Sequence, residues 1–272
     1  KNMNIESAVK ASANADAILL CLGENSYTEK LGDLNDLRIS DNQRELALAL
    51  AKTGKPVVLI LNEGRPRIIT DLAQQMKAII MTYLPGNEGG NAIADVLYGD
   101  VNPSGKLPYT YPMYTNSLVN YNHKLAESHE KMAGAYGYEG NVNVLYPFGY
   151  GLGYTRFAYS DARYADGQVT VTVENTGDCD GDEVIQVYIK DHDSPCAVPR
   201  HSLCAFRRVA LGKGEKATVT LPIRDEAFAA YDEEGNLTTL GRHYTLYVGG
   251  SQPDHRSETL TGSKPLAVEV RR

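Results

Sequence analysis

"LCLGENSYTEKLGDLNDLRIS", Leu20 to Ser40, decides how the first half of this chain is read. An apolar run stops abruptly in a loop crowded with Glu24, Glu29, Lys30, Asp33, Asp36 and Arg38. The run begins upstream as "AILLCL", Ala17 to Leu22, continuous and of strand length. A strand apolar on both faces belongs in a parallel sheet covered on both sides. Ligands of such sheets bind at the carboxyl ends of the strands, which is where this charged loop sits.

The same signal repeats downstream. "PVVLIL", Pro56 to Leu61, and "KAIIMTYL" read as two further buried strands. Between them lie helical patterns: "NQRELALALAKTG", closed by Gly54, and "RIITDLAQQM". "NEGGNAIADVLYGD" is another helix, closed by Gly99, and "NIESAVKASANA" a helix leading into the first strand. This alternation predicts a three-layer α/β sandwich with a mostly parallel sheet over residues 1–110. Three parallel strands make a small sheet, so the domain is expected to lack an N-terminal part. Cys21, in the first strand, is expected in the core.

The period then changes. "GQVTVTVENTG", "EVIQVYIKD", "FRRVALGKGEKATVTLPI" and "RHYTLYVGG" alternate apolar and polar residues between Gly, Asn and Asp turns. They predict an all-β immunoglobulin or fibronectin-III-like sandwich over 154–272. Residues 111–153, rich in Tyr, Asn, Gly and Pro, read as a connector packed on both domains.

Composition narrows the function. Among 272 residues, 27 Lys and Arg against 34 Asp and Glu give a net charge of −7, which argues against a nucleic-acid partner. No apolar run reaches membrane-spanning length and no signal pattern opens the chain. The four cysteines form no CxxC pair; Cys196 and Cys204 flank a short loop and either bridge or stay free. "DCDGDE" reads as an acidic turn, "NPSGKL" lacks the P-loop spacing, and "LPGNEGGN" is not a dinucleotide fingerprint. No cofactor is expected. The six histidines show no ligand spacing. His123 and His129 read as connector surface and His201 as sandwich loop. "NLT" at Asn236 is a glycosylation sequon of little weight.

Three polar loops, Gly23 to Ser40, "NEGRP" and "LPGNEGG", leave the sheet at one edge. A sugar or other polyol suits them. On composition alone, charges that merely solvate long loops explain them as well.

Longer motifs go further. "GENSYTEKLGDLNDLRIS", "GKPVVLILNEGRPRII", "YLPGNEGGNAIADVLYGDVNPSGKLPYTYP" and "LYPFGYGLGYTRFAYS" resemble successive signatures of the second domain of glycoside hydrolase family 3. "ENTGDCDGDEVIQVYIKD" and "PRHSLCAFRRVALGKGEKATVTLPI" resemble its appended fibronectin-III-like domain. The resemblance implies a retaining, exo-acting β-glycosidase, foremost a β-glucosidase acting on terminal β-D-glucosyl residues, with β-xyloside as the alternative substrate. Retention needs two carboxyls about 5–5.5 Å apart. The family's nucleophile is an Asp on an N-terminal (β/α)8 barrel, which this chain does not carry. Its acid/base lies in the "YTE" segment, here Glu29. Tyr27, Lys30, Asp33 and Glu24 are then neighbours that touch the sugar or hold the loop, with Glu29 partly buried against Tyr27 and Glu24 orienting the loop. Arg65 and Glu88 read as loop braces, and Tyr136, Tyr138 or Tyr146 as packing or a sugar-facing rim.

The implied partners are the barrel domain, on this chain or another, and an oligosaccharide or β-glucoside. Neither nucleic acid nor membrane is among them, and a homodimer stays open. The chain is expected to be one part of a nicked, split, truncated or rearranged enzyme, inactive alone. Family members are often exported, which implies a periplasmic or extracellular site. The alternative of a different class is a non-catalytic carbohydrate-binding or assembly module.

Overall fold

The structure, a computed structural model, describes residues 4–115, 120–124 and 144–272; Tyr136, Tyr138 and His129 lie outside the described residues. The described chain divides into two compact units, residues 4–98 with 112–115, and residues 99–111 with 120–124 and 144–272.

In the first unit, α1 (Ile5–Ala11) is capped by Asn4, whose side chain accepts from the Ser7 N–H at 3.0 Å. Strands β1 (Ile18–Gly23), β2 (Val57–Asn62) and β3 (Ala78–Met81) form a parallel sheet in that order. Leu20 pairs with Leu59 and Leu59 with Ile79, which puts Leu20, Leu22, Leu59 and Leu61 on one buried face. Between the strands run α2 (Asp41–Ala51), α3 (Thr70–Ala73) and α4 (Gly89–Tyr98). The chain leaves α2 through Gly54, whose φ of +77° suits glycine at a helix exit.

Three expectations need correction here. The second face of the sheet is open at β1: Leu19 is 55% exposed and Cys21, on the same face, is exposed as well, although its neighbour Ile60 on β2 is buried. Cys21 is therefore no core residue, because β1 is an edge strand whose second face carries no layer. The helix expected over "RIITDLAQQM" shrinks to the single turn of α3. Ile68 is held extended instead, donating to Leu37 O at 2.8 Å and accepting from Ile39 N–H at 3.4 Å. Backbone pairing with the first loop wins over helical periodicity.

The second unit begins with residues 99–111, which zip onto distant parts of the chain. Asn102 donates to Asp180 O at 2.9 Å and accepts from Tyr154 N–H at 2.7 Å. Lys106 Nζ donates to Gly151 O at 2.9 Å, and Leu107 N–H to Tyr150 O at 2.9 Å. Two short strands, β4 (Tyr111–Pro112) and β5 (Val144–Tyr146), pair with each other. Tyr146 meets Tyr111 edge-on and stacks on Tyr150, with centroids 6.0 and 5.4 Å away. Its role in the structure is aromatic packing.

The remaining strands are antiparallel. Strands β6 (Phe157–Ala165), β7 (Gln168–Asn175) and β10 (Lys216–Pro222) make one sheet in the order β10-β7-β6. Strands β8 (Gly181–Asp191), β9 (Ser202–Leu211), β13 (His243–Gly249) and β14 (Leu266–Arg271) make another, ordered β14-β13-β8-β9. Short strands β11 (Ala230–Tyr231) and β12 (Leu237–Thr238) pair separately, and α5 (His255–Thr261) precedes β14. The β6–β7 hairpin turns through Asp166 and Gly167, both at positive φ, as a type I′ turn requires. Alternation along β7 buries Val169, Val171 and Val173, which join Ile185, Val187, Leu246, Val248 and Val270 in one hydrophobic core.

Cys196 and Cys204 are free thiols, so the bridge left open by the sequence is absent. Cys204 lies within β9 and its Sγ contacts Val187 O at 3.2 Å. Burial pushes its thiol pKa up to about 12, which keeps it protonated and inert.

Candidate active site

The loop after β1 starts from a fixed point. Gly23 has φ +154°, and an added Cβ would overlap the carbonyl of Asn62 on β2. Glycine thus lets β1 and β2 stay paired to their last residues. Gln43 of α2 clamps the same residue, accepting from Gly23 N–H at 2.8 Å and donating to its carbonyl at 2.9 Å.

The next residue spends its charge inside the loop. Glu24 Oε1 accepts from Arg65 Nε at 3.1 Å and Arg67 Nη1 at 2.9 Å, and Tyr27 Oη donates to Oε2 at 3.2 Å. Its side chain is only 9% exposed. A carboxylate so buried is tolerated because two guanidiniums and a hydroxyl satisfy it. Glu24 is a brace, as its closeness to the strand implied, and Arg65 braces with it. Arg65 also lies over the Tyr27 ring, 4.3 Å from its centroid.

Arg67 and Glu63 escaped the sequence reading. The Arg67 guanidinium reaches back to Arg38 O at 2.5 Å, and the Arg67 backbone N–H donates to Glu63 Oε1 at 3.2 Å. Glu63 is fully buried. Two arginines spaced around Pro66, directly after a strand end, were the available signal. Glu88, by contrast, holds only Asn91 in the first turn of α4, at 2.9 Å. It ties no loop to another among the described contacts.

The three loops come together around Gly64, beside Tyr27. A Cβ at Gly32 would overlap the ring of Tyr27, and one at Gly64 would lie 2.8 Å from its hydroxyl and 3.4 Å from Leu84 Cδ1. Gly32 belongs to the loop after β1, Gly64 to the loop after β2 and Leu84 to the loop after β3. Tyr83, beside Leu84, has φ +54°. Burial raises the pKa of its hydroxyl.

Beyond this knot stands Glu29. It opens a 3₁₀ turn over Glu29–Gly32 at φ +47°, a left-handed conformation that non-glycine residues adopt at a cost. Its side chain is exposed and makes no hydrogen bond or ion pair among the described residues. The burial of Glu29 against Tyr27 expected from sequence is not found. Tyr27 turns its hydroxyl to Glu24 and its ring to Gly32 and Arg65 instead. Lys30 and Asp33 are exposed too, linked only by the Asp33 N–H to Lys30 O bond at 3.1 Å, and neither pairs with Glu29. Asp36 and Arg38 pair with each other at 2.7 Å on the surface, where solvent screens the contact.

His201 lies in the sandwich loop just before β9, as expected, where its Nε2 contacts Gln252 Oε1 at 2.7 Å and its ring meets Tyr188 edge-on. Two other histidines differ from expectation. His192 and His243 come together with Glu269, their ligand atoms all within 4.8 Å. Spacing along the sequence missed this because three strands bring the donors together.

Comparison with known proteins follows the same outline. The model of the glycosyl hydrolase family 3 C-terminal domain matches residues 2–154, and that of the fibronectin type III-like domain residues 183–252. A periplasmic beta-glucosidase of Salmonella typhimurium is 38% identical over 261 residues, covering 90% of this chain and 34% of the relative. A beta-xylosidase of Formosa agariphila is 33% identical, covering 93% of this chain and 36% of the relative. The crystal structure of a beta-glucosidase from Listeria innocua in complex with isofagomine superposes with a TM-score of 0.84 at 32% identity. That match covers 98% of this chain and 38% of the other. The chain thus spans about a third of the length of these relatives. With the parallel sheet, its three convergent loops and the antiparallel sheets that follow all accounted for, the chain belongs to glycosyl hydrolase family 3.

Proposed function

We propose that this chain is the acid/base-supplying part of a retaining, exo-acting β-glycosidase that removes terminal non-reducing β-D-glucosyl residues. The observation that carries the reading is the contrast between Glu24 and Glu29. One carboxylate is neutralised by two arginines, while the other is held out, unpaired among the described residues, on a strained backbone at the carboxyl end of the sheet. Strain of this kind concentrates at functional positions.

In this reading Glu29 protonates the glycosidic oxygen as the bond breaks, then takes a proton from the water that opens the glycosyl intermediate. The nucleophilic Asp comes from a (β/α)8 barrel outside these residues, and the barrel also sets the sugar. Tyr27 fixes the loop, Glu24 fixes Tyr27, and Lys30 and Asp33 line the approach to the sugar. The three-layer α/β sandwich over 1–110, the connector over 111–153 and the two-sheet sandwich over 154–272 belong to the same reading. The named relatives support β-glucoside as substrate, and the beta-xylosidase among them supports β-xyloside as the second choice.

The test is Glu29→Ala in the complete enzyme. Hydrolysis of a β-linked disaccharide is expected to fall by about 10²–10⁴-fold. Glycosylation by a nitrophenyl glycoside, whose leaving group needs little protonation, should fall far less. Full activity on the disaccharide would overturn the assignment, and glycan binding by the isolated chain would favour a non-catalytic module.

A further inference from the structure

The outer face of the four-stranded sheet gathers a set of donors that the reaction above does not use. We propose that His192, His243 and Glu269 form a binding site for a zinc-like divalent cation. The site is separate from the loops at the parallel sheet and independent of the glycosidase reading.

The geometry rests on three neighbouring strands. His192 follows β8, His243 opens β13 and Glu269 lies in β14, and these strands are adjacent in the order β14-β13-β8. His192 N–H donates to His243 O at 3.0 Å, so the two histidines face each other across the ladder. Thr245 pairs with Glu269 in register, which puts the carboxylate one step along on the same face. The corner is pinned by Asp193, whose Oδ1 accepts from the N–H groups of Arg242 and His243 at 2.8 and 3.0 Å. The backbone is therefore organised before any ion arrives.

The side chains already converge. His243 Nε2 meets Glu269 Oε2 at 2.5 Å, and the two imidazoles stack with centroids 4.6 Å apart and planes at 26°. All three donor atoms lie within 4.8 Å of one another. Ligand atoms around tetrahedral zinc lie about 3.3 Å apart, so side-chain rotation alone closes the set. Two imidazoles and one carboxylate suit zinc and its neighbours, and a fourth position remains for water.

An outer support is also present. Thr245 is buried, donates its hydroxyl to Glu269 Oε1 at 2.9 Å and contacts His192 Nε2 at 2.7 Å. Such a group orients a carboxylate ligand and fixes its free oxygen. Bound metal would fasten the ends of three strands, and the expected consequence is a clamp on this sheet.

The experiment is calorimetric titration of Zn²⁺ into the metal-free 272-residue chain, with Mg²⁺ and Ca²⁺ as controls. One saturable Zn²⁺ site per chain is expected, without saturable Mg²⁺ or Ca²⁺ binding. His192→Ala and His243→Ala should each weaken Zn²⁺ at least about tenfold. His255→Ala, at an exposed histidine elsewhere, should not. The imidazole ¹⁵N shifts of His192 and His243 in the unaltered protein should move with Zn²⁺, a readout that does not depend on any variant folding. Absence of saturable binding, unchanged affinity in both histidine variants, or shifts that stay fixed would each overturn the site.

Discussion

Glu24 and Glu29 show how one loop assigns opposite tasks to the same side chain. Glu24 sits a residue beyond the strand, where Arg65, Arg67 and Tyr27 converge on it. Replacing it with Ala removes the carboxylate on which two largely buried guanidiniums converge. We expect Glu24→Ala to destabilise the first unit by about 3 kcal/mol in urea unfolding. Glu29→Gly should cost nothing or add up to about 1 kcal/mol, because glycine accepts φ +47° without strain. A Glu29→Gly variant that unfolds as readily as Glu24→Ala would show that Glu29 braces the loop rather than being displayed by it. At this scale the "YTE" segment and the strand end singled out Glu29 and Glu24, and the structure shows the first exposed and the second held by arginines. Arg67 and Glu63 were not legible, since a short loop has no period and the Arg67 partners Glu24 and Arg38 lie on the loop after β1.

Elements set where these residues can stand. The three loops leave one edge because β1, β2 and β3 run parallel, and their apolar strands announced that arrangement. The junction itself depends on close approach at Gly23. We expect Gly23→Ala to destabilise the first unit by more than about 1 kcal/mol, since its Cβ would overlap Asn62 O and part the strands. Hydrogen exchange should show loss of protection at Gly23 and Glu24 first. Unchanged protection there would contradict the proposed junction. The helix expected over "RIITDLAQQM" failed for a related reason, because Ile68 bonds to Leu37 and Ile39 in a pairing that periodicity cannot reveal. Cys21 looked like core because an apolar strand does not say whether both its faces are covered.

At the scale of the molecule, the alternation along β7 and the Asp-Gly turn made the antiparallel half readable, while the fastening of residues 99–111 was not. That fastening runs through single long-range bonds from Asn102 and Lys106. It also touches a buried carboxylate. Glu183 accepts from Tyr159 Oη at 2.8 Å and lies 3.8 Å from Lys106 Nζ. Burial raises its pKa, with Lys106 and the Tyr159 hydrogen bond pulling the other way. The folded protein therefore holds this proton to higher pH than the unfolded chain. Stability falls as pH rises from the ordinary carboxylate value of about 4.3 through the raised folded value, and the penalty is absent below that window. The melting temperature of Glu183→Gln minus that of the unaltered chain should grow more positive across this rise. A difference that stays flat would remove Glu183 as the cause.

The most direct test of the whole account is azide rescue of Glu29→Ala in the complete enzyme, with the product's anomeric configuration read by NMR. Once the glycosyl intermediate has formed, azide needs no base to attack it. Restored turnover with a β-glycosyl azide as product is the predicted result, because the acid/base is gone and the nucleophile intact. No rescue, or an α-glycosyl azide, would contradict the assignment of Glu29 as the acid/base.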